Sequence, residues 1–136
     1  MSASDSRAPK QGYPRFLEPI IQDTDQNPVV LYTKDKCEES KKARGVLKSE
    51  KINFVEKNVD TLTKEDAKKG KDYALGLRVI TQSRVYPQLF VCGDLVGDLA
   101  ELEKTKTSLK EMVSQCAGIR KKRKEEAAKK SVLDPL

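Results

Sequence analysis

The chain has 136 residues, of which 37% are apolar and 35% charged, with a net charge of +6. That length suits one domain able to bury a core without disulfide help, while the large charged share implies that part of the chain is not packed. The absence of histidine excludes His-based triads, His metal sites and His acid–base catalysis, and no run approaches the ~18 apolar residues of a membrane span.

The charge is unevenly spread. From Ala117 onward seven Lys or Arg stand against Glu125, Glu126 and Asp134, a net of +4, and the remaining +2 belongs to Met1–Cys116. Attraction for nucleic acid or another acidic partner therefore concerns the tail. The first residues lack an apolar signal core, and Asp5 argues against a mitochondrial transit peptide. Cys37, Cys92 and Cys116 show neither framework spacing nor a Cys-x-x-Cys pair. An odd, sparse count suggests a reducing compartment, which places the chain in the cytoplasm.

Met1–Gly12 is polar and reads as disordered. Phe16, Leu17, Ile20 and Ile21 have the spacing of a short amphipathic helix, followed by a loop over Asp23–Asn27. Pro28 opens the buried-strand run Val29-Val30-Leu31-Tyr32, and Thr33–Lys36 is loop-like. A helix follows Cys37 to about Ser49, with Ala43, Val46 and Leu47 on its apolar face. Ile52–Val59 predicts a second strand. Thr63 reads as the N-cap of a helix over Lys64–Leu75, weakened by Gly70. Gln88–Cys92 is a third strand, Gly93-Asp94 a hairpin turn and Leu95-Val96 a short fourth strand. Leu99, Leu102, Leu109, Met112 and Val113 mark two short helical segments. This order predicts an α/β fold: a mixed sheet of about four strands with helices on both faces. Residues 1–14 form an extension, 15–116 the domain and 117–136 a basic tail.

Two segments carry a resemblance. Val29-Val30-Leu31-Tyr32-Thr33-Lys34-Asp35-Lys36-Cys37-Glu38-Glu39-Ser40 resembles the first strand, loop and active-cysteine helix of glutaredoxins, members of the thioredoxin fold class. Arg84-Val85-Tyr86-Pro87-Gln88-Leu89-Phe90-Val91-Cys92-Gly93-Asp94-Leu95-Val96-Gly97 resembles the family's cis-proline segment and hairpin. The wording around Tyr86-Pro87-Gln88-Leu89 is closest to the monothiol branch, which includes PICOT-type domains. That branch normally reads Cys-Gly-Phe-Ser, has a longer loop before the cysteine, and places a Gly and an Asp where this chain has Asp98 and Ala100.

Cys37 stands where a helix begins, and helix N–H groups with Lys34 and Lys36 favour a thiolate there. Glu38 and Glu39 oppose it as like charges. Ser40 replaces a resolving cysteine, so Cys37 needs an external thiol, and the resemblance implies glutathione. Pro87 is expected to be cis, with the Val85–Tyr86 backbone facing Cys37 and pairing with glutathione. The resemblance implies that Lys34 and Arg84 bind the glycine carboxylate and that Gly97 and Asp98, at a helix start, hold the γ-glutamyl carboxylate. Asp98 and Ala100 lower that affinity, by ~1–2 kcal/mol. Cys92 reads as a buried small hydrophobe, Cys116 as a thiol with nothing to activate it, and Tyr32 and Phe90 as core. Arg120-Lys121-Lys122-Arg123-Lys124 fits a nuclear import signal, an anion-binding patch or a solubilising end.

Three functions stay open. First is a glutathione-linked protein holding a [2Fe–2S] cluster across a homodimer, with Cys37 the only protein ligand. Second is a degenerate interaction module with an unidentified protein partner. Third is a glutathione-dependent thiol oxidoreductase acting through Cys37.

Overall fold

The five-residue run Val29–Thr33 is buried along its whole length, so it must have apolar cover on both faces, and the rest of the fold supplies it. The computed structural model describes residues 13–133, with side chains as far as Cys116. Met1–Gly12 and the side chains of the Arg120–Lys124 run lie outside the described residues.

A 3-10 turn (Arg15–Leu17) leads into α1 (Glu18–Gln26), β1 (Val29–Thr33), α2 (Glu38–Ser49), β2 (Val55–Asn58), α3 (Val59–Glu65), α4 (Ala67–Thr81), β3 (Gln88–Val91), β4 (Asp94–Gly97) and α5 (Leu99–Leu133). The sheet order is β2-β1-β3-β4. β1 pairs parallel with β2 and antiparallel with β3, with Tyr32 opposite Gln88 and Val29 opposite Val91. This is the expected four-stranded mixed sheet.

Strand alternation sends side chains to two cores. Val29, Leu31, Leu89 and Val91 meet Ala43 and Leu47 of α2 and Leu102 and Leu109 of α5 on one face. Val30, Tyr32 and Phe90 meet Ile20 of α1, Val59 of α3 and Tyr73 and Leu77 of α4 on the other. Each fully buried aliphatic or aromatic chain contributes ~1.5–3 kcal/mol, so β1 is the centre of stability as well as of topology. Tyr32 and Phe90 are core, as expected, in edge-to-face contact at 5.7 Å.

Five local expectations change. α1 continues through Asp23–Gln26, because Thr24 turns its hydroxyl onto the Ile20 carbonyl and Asp23 has partners within the fold. Its Oδ2 accepts the phenol O–H groups of Tyr32 at 3.0 Å and Tyr73 at 2.8 Å. Burial first, and then Asp23, pushes both phenols upward in pKa. Thr63 is not an N-cap. It lies within α3, its hydroxyl donating to the Val59 carbonyl. Asn58 and Asp66 cap α3 and α4 instead, accepting from the N–H groups of Thr61 and Lys69. Gly70 is buried against Thr63, where a Cβ would collide. It therefore permits the close α3–α4 approach rather than merely weakening a helix. The two short C-terminal segments are one helix, α5, because Leu102 and Leu109 fall two turns apart on a single buried stripe.

The fifth change concerns the hairpin. Its turn residues are Cys92 and Gly93, both with positive φ (56° and 84°), since Val91 pairs directly with Asp94. Cys92 therefore sits in the turn rather than at the strand end, partly buried against the core. It forms a disulfide with Cys116 on α5, with a Cα–Cα separation of 5.9 Å.

At the β1–β2 edge, Arg44 donates from Nε and Nη2 to both oxygens of Glu56, each at 2.7 Å, and Thr33 adds a third donor at 2.8 Å. The Arg44 hydrogen bond chiefly holds the Glu56 carboxyl below its ordinary value of 4.5. A carboxyl depressed on folding stabilises fully above its unfolded value and loses that contribution as pH falls through the folded value. Wild-type stability is therefore expected to drop below pH 4.5. Between pH 5 and 3, Glu56→Gln should lose ~1 kcal/mol less stability than wild type, the scale for a partly exposed pair, in urea titrations.

Candidate functional site

β1 ends at Thr33, and the chain must reach the start of α2 in four residues. Asp35 anchors that short connection. Its N–H donates to Asp60 Oδ2 at 2.8 Å, and its carboxylate accepts from Asn58 Nδ2 at 3.0 Å and Lys64 Nζ at 3.3 Å. The Asn58 hydrogen bond, followed by that of Lys64, holds the Asp35 carboxyl low. Lys36 then takes φ +52°, a left-handed conformation uncommon for a side-chain-bearing residue, and the next residue is Cys37.

Cys37 is the N-cap of α2. Its Sγ accepts the Ser40 N–H at 3.4 Å, so the sulfur occupies a position where a capping oxygen usually sits. Ser40 is buried, and its Oγ accepts from the Lys34 N–H at 3.4 Å, which closes the loop onto the helix. Cys37 is partly exposed and is the free cysteine of the three.

Two acceptors face the thiol. One is the Tyr86 carbonyl at 3.7 Å; the other is Glu39 Oε1 at 3.9 Å. The Tyr86–Pro87 peptide is cis, as expected. Val85 donates its N–H to Ser83 Oγ and accepts from Gln88 Nε2 at 2.8 Å, so it is Tyr86 whose backbone is turned to Cys37. The Lys34 ammonium lies 5.4 Å from the Tyr86 ring centre, a cation–π contact. Burial, then Asp60, pushes the Tyr86 phenol upward.

The sulfur is thus contested. The end of α2 favours a negative sulfur, while the Glu39 carboxylate accepts a proton-bearing one and repels a thiolate. Two unit charges about 4 Å apart in water interact by ~1 kcal/mol. Glu39→Gln is therefore expected to raise the iodoacetamide alkylation rate of Cys37 about five-fold at pH 7 and low salt, less at high salt. An unchanged rate would mean that Glu39 does not act on the sulfur.

Gly97 stands opposite Leu89, at the sheet end that also holds Pro87. Asp98 caps α5, its Oδ1 accepting the Glu101 N–H at 3.3 Å. The helix start expected to hold an anion thus already has an internal carboxylate on one of its N–H groups. Arg84 is exposed beside Tyr86 and Lys34 on a shared groove. The predicted residues Lys34, Cys37, Arg84, Val85, Tyr86 and Pro87 therefore meet at one end of the sheet, and Gly97 and Asp98 lie at that same end. Asp35 and Asn58 escape sequence reasoning, since their partners lie 23 to 29 residues away. Among the described residues no group of three or more Cys, Asp or Glu could hold a metal ion.

A family model described as glutaredoxin matches residues 29–96. No curated protein sequence matches the chain. Among solved structures it is similar to the buckwheat glutaredoxin–glutathione complex, at 17% identity and TM-score 0.66, over 84% of this chain and 97% of that one. It is similar to a wheat glutaredoxin at 18% identity and TM-score 0.67, over 75% of this chain and 93% of that one. It is similar too to the holo form of glutaredoxin C1 from Populus tremula x tremuloides at 17% and 0.66, over 75% and 89%. At such identities the likeness speaks to the fold.

Proposed function

The chain belongs to the glutaredoxin family, and on that premise we propose that it carries out glutathione-linked thiol–disulfide exchange through Cys37 alone. The observation that carries this reading is the placement of Cys37 Sγ. It receives an N–H from the first turn of α2 and faces the backbone of Tyr86 across the cis-proline segment. The buckwheat neighbour is a glutathione complex. In this proposal Lys34, Arg84, Tyr86 and the start of α5 are the residues that would take the tripeptide.

The chemistry needs one protein thiol. The Cys37 thiolate attacks the glutathione sulfur of a protein–glutathione mixed disulfide. A Cys37–glutathione disulfide forms and the protein thiolate leaves, taking up a proton. A second glutathione thiolate then attacks the glutathione sulfur on Cys37, releasing glutathione disulfide and restoring Cys37. Ser40 cannot take part as a resolving thiol. Its hydroxyl and N–H instead hold the Lys34 loop and the sulfur.

A [2Fe–2S] cluster shared by two chains would use Cys37 from each, with glutathione thiols completing the set. The donor environment does not fit it. Glu39 lies 3.9 Å from the sulfur and would set a carboxylate against an anionic cluster, and Cys92 and Cys116 are bonded to each other. No step is routed through a cluster. The interaction-module reading draws on the same Glu39 contact, because a sulfur held as a thiol would be idle.

Incubation with glutathione disulfide followed by intact-mass measurement decides between exchange and idleness. One glutathione per chain, mapped to Cys37, is the expected result. An unmodified chain at pH 8 would remove the proposal and leave the module.

A further inference from the structure

We infer that the groove beside Cys37 selects protein substrates whose glutathione-bearing cysteine lies in an acidic segment with a neighbouring apolar side chain. The inference rests on the exchange chemistry proposed for Cys37 and adds the class of its protein substrate.

The groove measures ≈ 450 Å³ and runs between α4 and the segment before Pro87. Four of its lining residues are cations: Lys34, Lys71, Arg78 and Arg84. None of its lining residues is acidic, and among the described residues none of the four cations forms an ion pair. The nearby Asp60 is engaged by the Asp35 N–H. All four cations are exposed, so a visiting carboxylate would meet them without displacing an internal partner.

The floor is apolar. Ala74, Leu75 and the Tyr86 ring line it, and Leu75 is 41% exposed. Val79, one turn beyond Leu75 on α4, and Val85, next to Arg84, are 47% and 51% exposed. Leu75 thus lines the basic groove, and Val79 and Val85 are exposed at positions next in sequence to its lining residues Arg78 and Arg84. An apolar surface ringed by polar groups of one sign is the usual signature of a binding face.

The groove is also continuous with the reacting sulfur. Tyr86 offers its carbonyl to Cys37 and its ring to Lys34, so one residue belongs to both places. Glutathione supplies one glycyl carboxylate, which Lys34 and Arg84 suffice to hold. Lys71 and Arg78 stand seven residues apart on α4, a rise of ~10 Å. Together they ask for further negative charge spread along a chain, which a peptide leading away from the mixed disulfide provides. Charge complementarity of this kind acts on selectivity and encounter rate, and it weakens with salt.

The test compares two glutathionylated peptides of equal length, one with Asp and Glu around a Leu, the other with Lys in their place. The protein is either wild type or Lys71→Glu/Leu75→Glu, both changes lying on the exposed face of α4. Wild type is expected to favour the acidic peptide at least about ten-fold in kcat/KM at low salt, and the double variant to lose or invert that preference. Turnover of a small neutral glutathione mixed disulfide should be equal in the two proteins. Failure of wild type on that small disulfide would sink the exchange reading by itself. Docking is then still decided by fluorescence anisotropy of the labelled acidic peptide. Binding that is salt-sensitive and lost in the double variant supports the groove. Equal handling of both peptides by wild type, or a preference the double variant keeps, overturns it.

Discussion

Cys37→Ser is expected to lower glutathione-dependent disulfide exchange by at least about 10³-fold, the scale of removing a nucleophile from a concerted site. Serine fits the N-cap position and can accept the Ser40 N–H as well as sulfur does, so the fold should be unchanged. What disappears is the sulfur that attacks the disulfide. No second route exists within the chain, because Ser40 is not a thiol and the other two cysteines are joined to each other. The coupled reduction of a small glutathione mixed disulfide measures the loss. Thermal melting of the same sample should coincide with wild type within about 2 °C, as expected for an isosteric change at a partly exposed position. Retained turnover in Cys37→Ser would place the chemistry elsewhere.

Breaking the Cys92–Cys116 disulfide, by Cys92→Ser/Cys116→Ser or by reductant, is expected to cost about 3 kcal/mol. The bridge closes a segment spanning 24 positions, and removing loop-closure entropy from an unfolded chain of that length stabilises by this amount in the chain-entropy model. It also fixes α5 to the β3–β4 turn at the end of the sheet away from Cys37, where Val29 pairs with Val91. For a domain of this size a loss of 3 kcal/mol corresponds to roughly 10 °C in melting temperature. Differential scanning calorimetry with and without reductant reads it directly. The double serine variant should melt at the reduced wild-type temperature and be insensitive to reductant. Below that temperature it should still form the proposed Cys37–glutathione adduct, since the bridge and Cys37 lie at opposite ends of β1. A wild-type melting point indifferent to reductant would show that the two sulfurs are not joined.

These two expectations differ in how they became visible. The run Val29–Tyr32 followed by Cys37, and Tyr86-Pro87 followed by a glycine hairpin, are local signals, and local signals survive in a single sequence. Apolar β-branched residues declare a buried strand wherever they sit. A cysteine ahead of a helical stretch declares its own position at the helix start. For that reason the sheet could be anticipated residue by residue, whereas the cis-proline and the meeting of Lys34, Cys37, Arg84 and Tyr86 were expected from the resemblance to glutaredoxins.

Contacts between distant residues could not. Thr63 looks like a cap because threonine often is one, but Asn58 and Asp66 take that role once the α3–α4 packing brings Gly70 against Thr63. Asp23 reads as loop until Tyr32 and Tyr73 arrive from β1 and α4 to donate to it. Leu99–Val113 reads as two pieces until one face of the sheet requires a single apolar stripe.

By itself, then, the sequence determined the strand order along the chain, the place of Cys37 at a helix start and the absence of a second thiol three residues on, since each depends on neighbours within a few bonds or one turn. Only the tertiary structure decided that Cys92 and Cys116 are partners, that Glu39 faces the sulfur, and that Lys71, Leu75 and Arg78 share a groove with Arg84. Those facts depend on the path of α4 and α5 around the sheet, and chain separation carries no information about such a path until the two cores on either face of β1 close.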